Sequence, residues 1–198
     1  VDRFLAVLVV LASVAIAGRA DADEIEFLTG RFLVASDDMR DPSFAETVIY
    51  MLEHDEGGAL GLIINKPAGR VSHGALLEGL GLEGKPAEGA VTVHRGGPVD
   101  PARGFVLHSA DVVFESSTTL QEDLAVTTAP EIFLAIAEGK KPRDMIFALG
   151  YSGWAAGQLE SELARGGWIH IEFDRELLFD IRDGGKWQRA IDLMKFDL

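Results

Sequence analysis

In the stretch LGYSGWAAGQLE, residues 149 to 160, a serine stands between two glycines just ahead of a helical pattern. A serine nucleophile on a sharp strand-to-helix turn needs G-x-S-x-G, because both flanks must be small. Here Gly150, Tyr151, Ser152, Gly153 and Trp154 bring the second glycine one residue early and put an indole where the motif needs it small. A hydrolase would also need a histidine oriented by a carboxylate. His54, His73, His94, His108 and His170 are all available, and the sequence favours none of them. The expected role of Ser152 is therefore a helix N-cap, its hydroxyl accepting from free backbone N–H groups.

Other chemistries are incomplete in the same way. GYSGWAAG is G-x-x-G-x-x-x-G, neither the dinucleotide fingerprint nor a P-loop, and GGKW at Gly184 lacks the earlier glycine and the Ser or Thr that hold magnesium. No cofactor is expected. A strand opening into a helix N-terminus still leaves N–H donors and partial positive charge, which suit an anion or a carbonyl. The plainer reading of the corner is close packing of strand, loop and helix with Trp154 as a core anchor. His170 and Glu172 share one strand face, but catalytic zinc wants three protein ligands, so no metal is expected. His94 and His108 end the two strands of one expected hairpin, where a satisfied structural pair or simple exposure is expected rather than a metal site.

These residues need elements to position them. EFLTGRFLVAS reads as a strand entered through a glycine, and TVIYMLEHDEGGALGLIINKP as a hairpin around DEGG. VTVHRGGPVDPARGFVLH repeats that plan with a longer connection, giving a second expected hairpin. HGALLEGLGL is a short amphipathic helix. APEIFLAIAEGK is a better one, with Thr128 and Glu131 as a capping box and Gly139 as its stop. DMIFALG is a buried-type strand, AAGQLESELARGG a helix with a solvated acidic face and a weak Glu162–Arg165 pair, WIHIEFD a strand and KWQRAIDLMKF a closing helix. No repeat and no low-complexity linker appears, so one α+β domain is expected.

Composition narrows the partners. The chain has 198 residues, 47% of them hydrophobic, enough for one substantial core. Eighteen basic against 32 acidic residues give a net charge of −14, which repels phosphate backbones and anionic lipid surfaces. The densest basic stretch, Lys140, Lys141 and Arg143, is short and follows a helix, so nucleic acid is disfavoured as a partner. Absence of cysteine removes disulfides, thiolate zinc sites and a thiol nucleophile.

The N-terminus bears on compartment. VDRFLAVLVVLASVAIAGRADADE has Arg3, an apolar run to Gly18 and then Ala20-Asp21-Ala22, a small-x-small cleavage pattern. Residues 1–22 read as a signal peptide cleaved after Ala22, leaving residues 23–198 as the mature domain, without a membrane span and periplasmic or otherwise exported. The run is shorter than the roughly 20 apolar residues of a spanning helix. The alternatives are an uncleaved short anchor, or upstream sequence read from a misassigned start, with which Val1 is compatible.

The ordered set FLVASDDMRDPSFAETVIYMLEHDEGGALGLIINKP, HRGGPVDPARGFVLH, LAVTT and LGYSGWAAGQLESELARGGW resembles the YqgE/AlgH family of bacterial proteins from about Phe27 to the C-terminus. That resemblance implies a bent, bifurcated, mostly antiparallel sheet forming a pseudo-barrel with helices packed outside. It implies no catalytic residue, and the family carries a transcriptional-regulator label. Members usually begin near the FLVA strand and are cytoplasmic, which is the alternative location here. The family-like segments are Met39-Arg40-Asp41-Pro42, Asn65-Lys66-Pro67, Gly96-Gly97-Pro98 and Gly150 through Trp154. Turn chemistry explains their Pro, Gly and Asp. It explains Arg40, Asn65 and Lys66 less well. Arg40, Asp41, Asn65, Lys66, Gly96, Gly97, Tyr151, Ser152, Gly153 and Trp154 are accordingly the candidate ligand-binding residues. The favoured expectation is a non-enzymatic module for a small anionic or carbonyl ligand or a protein partner. A hydrolase or transferase using the Gly150–Trp154 loop with Asn65 and Lys66, and a DNA-contacting regulator, are the alternatives.

Overall fold

A computed structural model describes residues 27–196; the expected signal peptide and its cleavage site lie outside them. The run FLVA forms β1 (Phe32–Ala35), buried at all four positions. Phe32 and Val34 enter one core while Leu33 and Ala35 enter another, so a strand covered on both faces reads as continuous apolar sequence. The expected first hairpin is β2 (Val48–Asp55) with β3 (Gly58–Ile63), paired from Ile49↔Ile63 to Asp55↔Gly58. Its turn is fixed by Asp55, whose carboxylate accepts from the Gly57 N–H at 2.7 Å.

The second expected hairpin does not form. β5 (Ala90–Arg95) and β6 (Val99–Ser109) are separated by β9 (Met145–Ala155), which pairs with β5 in parallel and with β6 antiparallel. His94 and His108 therefore lie on opposite flanks of β9. The partner of β5 is instead β4 (Pro67–Ser72), whose exposed, mixed residues show no apolar alternation. β7 (Thr118–Gln121) and β8 (Leu124–Thr127) extend the sheet beyond β6, and β10 (Trp168–Ile171) closes on β1. The main path is β10-β1-β2-β3-β9-β6-β8-β7, with β4–β5 branching at β9. The sheet curls so far that the Gln121 amide of β7 donates to the Gly30 carbonyl beside β1 at 2.9 Å. The result is a half-barrel, forked and mostly antiparallel, in an α+β fold.

Helices cover its faces. α1 (His73–Leu80) and α2 (Pro130–Ala137) pack Leu76, Leu77, Ile132, Phe133 and Ile136 over Val91, Val106 and Phe147. α2 starts at Ala129 without a side-chain cap, because Pro130 occupies the first turn and Glu131 bonds the Ser116 hydroxyl; the expected Thr128 capping box is absent. Gly139, at φ 81°, follows the helix as expected. α3 (Gln158–Ala164) covers β1–β3, and α4 (Asp183–Phe196) packs with a π-helical turn (Glu176–Asp180) on the concave face. Lys186 in GGKW is not a phosphate ligand. Its buried ammonium donates to the carbonyls of Leu177, Leu178 and Ile181 at 3.0, 2.7 and 2.8 Å, ending the π-helical turn.

Candidate functional site

The glycine-flanked corner is not a loop. β9 runs through to Ala155, and the N-cap of α3 is Gly157, so Ser152 sits inside a strand rather than capping a helix. Ser152 is wholly buried, and its hydroxyl donates to the Gly96 carbonyl at 3.4 Å. None of the five histidines bonds to it. His54 accepts from Leu28 N–H through Nδ1, which leaves its Nε2 proton to face Glu160 at 3.3 Å. His94 bridges the Phe147 carbonyl and Asp183, His108 bridges the Ser109 carbonyl and Thr127, and His73 meets the Ala87 carbonyl. His170 is exposed.

Gly96 and Gly97 have a packing reason. They pass so close to β9 that a Cβ on Gly96 would overlap the Gly150 carbonyl oxygen, and one on Gly97 would overlap the Tyr151 carbonyl. That crossing lets β9 leave β5 and join β3, with Ile63 N–H donating to Gly96 O and Gly96 N–H to Leu149 O. Tyr151 packs edge-on to Phe105 under the Arg103 guanidinium. Asn65 is likewise structural: its amide oxygen accepts from Val48 N–H at 2.9 Å and its nitrogen donates to Glu46 O at 2.8 Å. Those bonds hold Glu46 at φ 54°, a left-handed conformation costly for a side chain with a Cβ.

Asn65 thereby anchors the segment between β1 and β2, the lip of a broad concavity. Within it, Asp41 accepts from Ser43 N–H through its carboxylate and from Phe44 and Ala45 N–H through its carbonyl. The concavity is a cleft of 650 Å³ lined by Arg40, Asp41, Phe44, Gly153, Trp154, Glu162, Arg165 and Trp168, among others. Four of the sequence candidates, Arg40, Asp41, Gly153 and Trp154, thus come together. Its floor is an indole pair, Trp154 edge-on to Trp168 at 6.0 Å, with Phe44 edge-on to Trp168 at 5.4 Å.

One carboxylate fixes that floor. Both indole N–H groups donate to Glu162 Oε2, at 3.0 Å from Trp154 and 2.8 Å from Trp168, while Gln158 donates to Oε1 at 3.0 Å. Burial raises the Glu162 carboxyl, but the bonds from Gln158, Trp168 and Trp154, with the charge of Arg165, outweigh it and hold the group below the ordinary glutamate range. The helix face that looked merely solvated is therefore a clamp, and the expected Glu162–Arg165 ion pair is not made. At the rim, neither Arg40 nor Arg165 forms an ion pair among the described residues. Sequence reasoning missed Glu162, Gln158 and Trp168; the usable signal was an acidic helix flanked by two tryptophans.

Lys66 and Gly97 lie beyond the lip. A hollow of 250 Å³ contains Ser43, Lys66 and Arg95, and one of 400 Å³ shares Ser43 and Arg95 and continues along Gly97 and Pro98. Among the described residues no group of three His, Asp or Glu could hold a metal, and no helix is long and apolar enough to cross a membrane.

Comparison with known proteins matches residues 32–198 to a family model described as AlgH-like. A UPF0301 protein of Chromobacterium violaceum is 41% identical over 174 residues, 86% of this chain and 91% of the relative. One from Shewanella sp. (strain ANA-3) is 43% identical over 180 residues, covering 87% and 94%. The solution structure of the AlgH protein from Pseudomonas aeruginosa superposes with a TM-score of 0.73 at 38% identity, over 86% of this chain and 90% of that one. A Corynebacterium diphtheriae crystal structure at 24% identity and TM-score 0.57, over 76% and 78%, shares the fold.

Proposed function

Because the chain belongs to the AlgH-like family, whose matched relatives carry no activity in their names, we propose a function from its own clefts: it is a non-enzymatic module that binds a small anionic or carbonyl-bearing ligand, or a protein partner, through the face around residues 38–44. One observation carries this reading. The 650 Å³ cleft has a floor whose polar groups are already satisfied within the protein, beneath a rim bearing Arg40 and Arg165. Such a surface is pre-shaped for recognition, whereas catalysis needs a poised acid, base or nucleophile. The hydrolase alternative is weakened by Ser152, whose hydroxyl is sealed from solvent and lacks a proton acceptor other than a carbonyl. The regulator alternative is opposed by the −14 charge.

A metabolite screen by thermal shift, with tryptophan fluorescence reporting on the cleft, tests the reading. A ligand should raise the melting temperature by mass action without being turned over. Labelling of Ser152 by a fluorophosphonate probe, lost in Ser152→Ala, would overturn it. The apolar run and Ala20-Asp21-Ala22 support an exported mature protein beginning at Asp23. Intact mass from the native host reads that directly, and a product retaining residues 1–22 would refute it.

A further inference from the structure

We propose that the groove beside the β4–β5 pair binds an amphipathic carboxylate, a free carboxyl group carrying an apolar chain; this rests on the binding reading above and assigns it a second site. Pro67 pairs with His94, and Arg95 N–H donates to Lys66 O at 2.9 Å, so Lys66 and Arg95 stand opposite one another across an antiparallel pair. Like charges so placed repel. Neither side chain makes an ion pair among the described residues. The chain has 32 acidic residues against 18 basic ones, yet no carboxylate lines either hollow that these cations enter. Two opposed, uncompensated cations in so acidic a molecule mark a place where the counter-charge comes from outside.

The same groove changes character along its length. Past the shared Ser43 and Arg95, the 400 Å³ hollow is walled by Ile63, Ala68, Pro98, Pro101 and Leu149. Its volume lies within the range of about 300–1,000 Å³ usual for small-molecule sites. His94 also lines it, and its two ring nitrogens already face Phe147 O and Asp183, so ring surface is what it presents to the ligand. An arginine fork takes a carboxylate through two parallel bonds and a lysine adds a point charge. The apolar wall then takes a chain that a bare anion lacks.

Calorimetric titration of the full chain with octanoate, octanol, acetate and inorganic phosphate tests this, together with co-sedimentation on phosphatidylglycerol vesicles. Octanoate should bind, with octanol and acetate each weaker by about tenfold or more, and Arg95→Ala should loosen octanoate by on the order of tenfold. Lys66→Ala should loosen it less, and neither ligand-free variant should melt below the parent, since neither side chain is bonded and each change relieves the repulsion between them. Octanol matching octanoate would leave only an apolar hollow. Acetate or phosphate matching it would leave only an anion site. Either result overturns the proposal, as does unchanged binding in both variants, or Arg95-dependent vesicle binding without octanoate binding. If octanoate fails while the metabolite screen finds a ligand that alters tryptophan fluorescence, this inference falls and the broader reading stands; if nothing binds by either measure, both fall.

Discussion

Glu162→Ala is the most direct probe of the recognition face. The substitution removes the acceptor for two indole N–H groups, at 3.0 and 2.8 Å, and for the Gln158 amide. A buried donor left unsatisfied costs about 1–3 kcal/mol. Trp154 and Trp168 are 7% and 4% exposed, so both indoles face that penalty, but the cleft opens to solvent and water recovers part of it. The expected loss is about 2–4 kcal/mol, read as a lower urea midpoint at unchanged slope. Glu162→Gln keeps one acceptor but turns an amide toward Gln158, and should lose about 1 kcal/mol. The carboxyl is held below the ordinary glutamate range in the fold. Its contribution is therefore fully present above the unfolded value of about 4.3, and is lost as pH falls through the lower folded value. Both variants should lack that part of the acid dependence. A Glu162→Ala protein within about 0.5 kcal/mol of the parent, with an unchanged tryptophan spectrum, would show that the clamp does not fix the floor.

Three further outcomes follow from the geometry. Gly97→Ala should abolish folding or cost more than about 3 kcal/mol by circular dichroism melting, since its Cβ would overlap the Tyr151 carbonyl backbone. Lys186→Met should cost about 3–5 kcal/mol in urea, because it orphans three carbonyls at the end of the π-helical turn. His108 is wholly buried, and burial lowers its pKa against the opposing Ser109 carbonyl and Asp111. Its contribution to stability should be complete above about pH 6.5 and be lost as pH falls through the folded value, a loss seen in parent titrations and missing in His108→Gln.

What the sequence revealed and what it hid divide along physical lines. β1, the β2–β3 hairpin, α1 and the closing helix follow from local periodicity and turn chemistry, which need only neighbours in the chain. The β5–β6 hairpin failed because VTVHR and GFVLH are each apolar enough to pair with anything, and β9, some 40 residues later, inserts between them. Ser152 was misplaced for the same reason: Gly150 and Gly153 look like a break, but close packing against Gly96 and Gly97 keeps the strand going. Within the cleft, Arg40, Asp41, Gly153 and Trp154 stood out as residue types. Glu162 did not, since an acid on an acidic helix is unremarkable until two indoles turn toward it.

The fork at β9 governs how this molecule comes apart. Its first half carries Ile146 and Phe147 into two different cores, and its second half carries Trp154 into the third. Melting of any one layer therefore strips cover from the strand that the other two share. Unfolding should proceed as one concerted event, with amides along that strand the last to exchange with heavy water.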